Sequence, residues 1–88
     1  MDQVMQPGEA RLNITIAGFN GDLPDPVAYD ASDADVKQWA TEAVRAGIPG
    51  IPAQANPDFT DFVVDRFPAS DVRPFPLVML RPKTPFGY

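Results

Sequence analysis

In the stretch RLNITIAG, Leu12, Ile14 and Ile16 alternate with Asn13 and Thr15. This is the two-residue period of a strand that buries one face. FNGDLPDP follows, where Asn20-Gly21 suits the positive backbone angles of a tight turn and Pro24 and Pro26 predict a longer irregular loop. VAYDA then places Val27, Tyr29 and Ala31 on one side of a second strand. From Val36 the period changes: Val36, Trp39, Ala40, Ala43 and Val44 form a single apolar stripe of a helix, with Lys37, Gln38, Thr41, Glu42 and Arg45 opposite. Ser32 is placed to cap that helix, and Asp33 and Asp35 favour the positive end of its dipole. Gly47 suits the residue that ends it, Ile48 can pack back on the last turn and Pro49 prevents continuation.

The segment IPGIPAQANPD holds three prolines and reads as a connection without ladder bonding. DFVVDRF and FPLVMLR are the third and fourth strands, joined by the turn-like PASDVRP. The expected organisation is a mobile leader over residues 1–10, one domain over 11–81 and a proline-containing tail over 82–88. No internal repeat or low-complexity tract interrupts it.

Composition narrows the chemistry more than the fold. Eighty-eight residues make one small domain, which buries only about 60% of the surface its unfolded chain exposes. The chain has no histidine and no cysteine. It therefore lacks the commonest general base, the commonest metal ligand and any thiolate. Ser32, Thr41 and Ser70 have no histidine to activate them, so no triad-type nucleophile can be assembled. A net charge of −5, with ten aspartates against two glutamates, opposes nucleic-acid binding and matches a basic surface on a protein partner. No apolar run approaches the length of a membrane span, and the N-terminus lacks the order of a secretory signal. A cytoplasmic monomer that contacts neither membrane nor nucleic acid is expected.

Two aspartate groups are candidate cation ligands: Asp58, Asp61 and Asp65, and Asp22, Asp25 and Asp30 around the first hairpin. Neither has the alternating oxygen ligands around a central glycine that a calcium loop requires. A solvated acidic surface is the expectation, with no metal and no cofactor. Trp39 is expected to anchor the helix on the sheet.

The order strand, strand, helix, strand, strand resembles the ubiquitin-like β-grasp over about Arg11 to Gly87. The residues that carry the resemblance are the opening strand LNITI, the helix start SDADV, the helix exit AGIP and the last strand PLVMLR before a glycine-bearing tail. In ubiquitin, too, the helix ends in Gly-Ile-Pro and the last strand runs through Leu-Val-Leu-Arg into the tail. A ferredoxin-like fold needs a second helix, which residues 48–58 do not supply. The expected fold class is therefore α+β: a four-stranded mixed sheet (ββαββ) with one helix packed across one face.

The resemblance implies that Val78 and Leu80 face the core. Period two then sends Leu77 and Met79 to the open face of the sheet, where Val63 joins them. In ubiquitin that face is what partners grip. The expected function is a non-catalytic protein-binding module that docks through Val63, Leu77 and Met79, with Arg81 and Phe86 as tail contacts. A second expectation is a modifier or sulfur carrier acting through Gly87. That chemistry requires removal of Tyr88, and it meets Phe86 where a second glycine would stand and prolines at 82 and 85 that stiffen the tail. A third is a phage or mobile-element accessory protein that covers a basic host surface. The alanine, aspartate and proline content and the excess of arginine over lysine fit a high-GC host such as an actinobacterium or its phage.

Overall fold

The computed structural model describes residues 6–83. The chain runs β1 (Glu9–Ile16), β2 (Phe19–Asp22), β3 (Val27–Ala28), α1 (Asp33–Ala46), β4 (Phe62–Phe67) and β5 (Leu77–Pro82). The strands form one mixed sheet in the order β2-β1-β5-β4, with β3 also paired to β1. Its centre is the parallel pair β1–β5, in which Leu12 lies beside Val78 and Ile14 beside Leu80. The outer pairs are antiparallel.

The alternation in the first strand is realised residue by residue. Ala10, Leu12, Ile14 and Ile16 are buried and the residues between them are half-buried. β1 starts at Glu9, two residues before the expected start at Arg11, because Glu9 and Ala10 pair with Ala28 and Val27. The helix covers the same face through Val36, Ala40 and Val44. Ser32 caps it, its hydroxyl accepting the Asp35 N–H at 3.1 Å. The Gly47 N–H donates back to the Ala43 and Val44 carbonyls and closes it.

The sheet has five strands where four were expected, and the additional strand is β2. Asn20-Gly21 lies within β2 and is not a turn. The chain reverses instead at Ala17-Gly18, between the paired Ile16 and Phe19, with φ of 52° and 83°. Positive φ at both central residues is the geometry that matches the twist of a two-residue hairpin. Alanine is a poor residue for it, and so the position carries no turn signal. Gly21 answers to a different demand: a Cβ there would stand 2.3 Å from the Pro49 carbonyl oxygen. After Asp22 the edge bulges outward, with residues 23–26 facing only Arg11 and Leu12 of β1. Pro24 and Pro26 have no N–H to give to a ladder, which suits them to this excursion. The strand expected over VAYDA lasts only two residues, because the Ala31 N–H turns back to the Ala28 carbonyl and leads the chain into the helix cap.

The proline-rich connection contributes to the core. Ile48-Pro49-Gly50-Ile51 closes a turn through hydrogen bonds in both directions between Ile48 and Ile51, and Gly50 takes φ of 93°. Pro second and a positive-φ glycine third is the pattern of a type II turn. Ile51 from this segment and Phe59 just after it are buried with the strand and helix residues.

Arg66 ties β4 to the start of the helix. Its guanidinium donates to the Ala31 carbonyl and pairs with Asp33 at 3.0 Å. Arg66→Met is expected to lower stability by about 1–2 kcal/mol, since it removes a charged hydrogen bond to backbone together with a screened ion pair. Asp33→Asn should cost less, because Asp33 is largely exposed. Urea unfolding of the two variants checks the order. Equal losses would mean that the hydrogen bond to Ala31 contributes nothing.

Candidate functional site

The strand register decides which side chains share the open face. Val78 and Leu80 are buried under the helix, so Leu77, Met79 and Arg81 turn the other way. Across β4, Val63 pairs with Arg81, Asp65 with Met79 and Phe67 with Leu77. Val63, Leu77 and Met79 thus lie on the face away from the helix, with Asp65 between Val63 and Phe67 and opposite Met79. Phe67 joins them. Among the described residues it and Val63 are two of the few large apolar side chains left exposed, at 39% and 37%.

The same face is polar over its other half. On β1 and β2, Asn13 donates to Asn20 at 3.0 Å and to Asp22 at 2.8 Å, and Asn20 donates to Asn13 at 2.9 Å and to Thr15 at 2.8 Å. These amides satisfy one another and hold that half in a fixed pattern. The apolar half is bordered by arginines. Arg81 forms an ion pair with Asp65. Asp65 Oδ2 is buried and meets no donor in hydrogen-bond geometry, so the Arg81 charge is its compensation. Arg11 lies 5.2 Å from the centre of the Phe75 ring, a cation–π distance. Arg73 donates to the carbonyls of Phe75 and Pro68 and so closes the turn between β4 and β5.

The proline-rich segment 48–58 does not cover this face. Its turn packs against β2 at Gly21, its Gln54 N–H donates to the Val44 carbonyl at the end of the helix, and Ile51 is in the core. Phe86 and Gly87 lie outside the described residues.

Three of the aspartates considered as cation ligands, Asp22, Asp58 and Asp65, are engaged separately. Asp65 faces Arg81, and Asp22 joins the amide network. Asp58 accepts the Thr60 hydroxyl at 2.6 Å and the Thr60 N–H at 2.9 Å. These bonds, the hydroxyl foremost, hold its carboxyl below the ordinary aspartate range. The stabilisation they supply is present above that ordinary range and is lost as the pH falls through the lowered value. Among the described residues no three carboxylates gather as a metal site.

Trp39 departs from its expected place. It is half-buried at the border of the core, while Val36, Ala40 and Val44 fill the space beneath the helix. With Ala43, Glu42, the bulge residues Leu23, Asp25 and Pro26, and Val27 and Ala28 of β3, it lines an open groove of about 530 Å³. The two prolines before Val27 were the only sequence sign of this feature, since they force the edge away from the ladder.

No family model matches the chain, and no curated protein or solved structure matches it either. No helix among the described residues is long and apolar enough to cross a membrane.

Proposed function

We propose that this protein is a non-catalytic binding module of the ubiquitin-like β-grasp kind, which docks a protein partner through the open face of its sheet. The fold reading is supported by the parallel pairing of the two central strands, the order β2-β1-β5-β4 and the single helix across one face. The observation that carries the function is the cluster of Val63, Phe67, Leu77 and Met79 beside a self-satisfied amide network. The Asp65–Arg81 ion pair crosses this cluster, and apolar side chains mixed with polar groups on an exposed face of a small domain are a common form of a protein interface.

Met79→Lys tests the reading with little cost to the fold. Met79 is half-buried on the face and pairs with Asp65, so a lysine there meets an opposite charge across the strands. Partners retained by the immobilised wild-type protein from cells of its native host should bind the variant at least about tenfold more weakly, as for a central interface residue. Asp71→Asn, on the exposed turn between β4 and β5, serves as the control and should retain them. Equal retention by both variants, with the helical circular dichroism intact, would sink the sheet-face proposal.

A further inference from the structure

We infer that the groove beside Trp39 is a second binding site, built to take an arginine or lysine side chain from an extended segment of a protein partner. It lies between the helix and the β2–β3 bulge, away from the open face, and does not depend on the sheet-face reading. Its lining combines three features. Leu23, Pro26, Val27, Ala28 and Ala43 give an apolar surface for the methylene stem of a long basic side chain. Trp39 contributes the ring best suited to holding a cation by its quadrupole. Asp25 from the bulge and Glu42 from the helix contribute one acidic residue to each wall.

Charge complementarity selects the occupant. Among the described residues neither Asp25 nor Glu42 takes part in an ion pair, and Glu42 meets only the Gln38 amide at 3.4 Å. Neither basic side chain of the helix, Lys37 or Arg45, lines the groove, and Lys37 is spent on the Thr60 carbonyl. The two carboxylates are therefore left for a charge brought from outside. A neutral apolar side chain would fill the surface but leave both of them unanswered. An acidic one would be repelled by both.

Trp39 is the chain's single tryptophan, so its emission reports occupancy directly. The probe is the capped peptide Gly-Leu-Arg-Leu-Gly, compared with the same peptide carrying citrulline, which keeps the shape of arginine and loses its charge. A saturable change in Trp39 emission is expected with arginine, and binding about tenfold weaker with citrulline. Asp25→Asn and Glu42→Gln, both at exposed positions that leave the core untouched, should each weaken the arginine peptide about three- to tenfold. Asp71→Asn removes the same charge from outside the groove and should leave binding unchanged. The inference is overturned if Trp39 emission does not respond, if arginine and citrulline bind alike, or if Asp71→Asn weakens binding as much as the groove variants do.

Discussion

Gly50→Ala is expected to destabilise the domain by about 3 kcal/mol or more and to leave a large part of the protein unfolded at 25 °C. Two costs coincide at this residue. With φ of 93°, any L side chain is strained, at about 1–3 kcal/mol. A Cβ there would also lie 2.2 Å from the Asn20 carbonyl oxygen, a contact with backbone that no rotamer change relieves. Overpacking of this kind costs typically about 1–3 kcal/mol. Gly18→Ala separates the two, because Gly18 has nearly the same φ, 83°, with nothing within 4 Å of its added Cβ. It should show the strain alone. Guanidinium unfolding followed by Trp39 fluorescence measures both. Equal losses at the two sites would mean that the turn does not press on β2 as closely as described.

Ile14→Ala should cost about 2–5 kcal/mol, the range for truncating a buried branched side chain. Ile14 is fully buried and sits at the middle of the sheet, beside Gly21 on one side and Leu80 on the other. Little room exists for collapse around the void, since the strands on both sides are held by ladder bonds. A domain only slightly longer than about 80 residues has a core that supplies little more than about 3–5 kcal/mol of stability. The variant should therefore lose its sheet signal in circular dichroism at 25 °C, while Ile14→Val costs about 1 kcal/mol. Val72→Ala is the control, because Val72 is 94% exposed. A folded Ile14→Ala with an unchanged denaturation midpoint would contradict the packing.

What could be read from the sequence follows how local each signal is. The alternation around Ile14 and the hydroxyl of Ser32 act within a few residues, and the structure follows both. The same holds for the parity of Leu77 and Met79 once Val78 and Leu80 are buried. β2 was hidden because Asn20-Gly21 looks like a turn, whereas Gly21 is there so that Pro49 can approach. That demand comes from residues far along the chain. Ile51 and Phe59 were hidden for a related reason: the proline-rich segment and the residues just after it have no period, yet these two side chains complete the core. The exposed Phe67 was read only as strand, although its pairing with Leu77 extends the apolar patch. Trp39 was assigned to the core by its size and stripe position. The smaller Val36, Ala40 and Val44 fill that space, and the indole is left at the border.

The parallel pairing of β1 with β5 governs how the domain comes into being. The two strands at the centre of the sheet come from opposite ends of the described chain, so the β1–β2 hairpin and the helix can form early but have no shared sheet to settle on. Contacts this distant in sequence slow folding, toward the millisecond-to-second range of domains dominated by non-local pairing. On the ribosome the sheet must wait until β5 has left the exit tunnel. Until then Leu12 and Ile14 lack their neighbouring strand in the sheet, and that interval is when the nascent chain is most open to aggregation or to a chaperone.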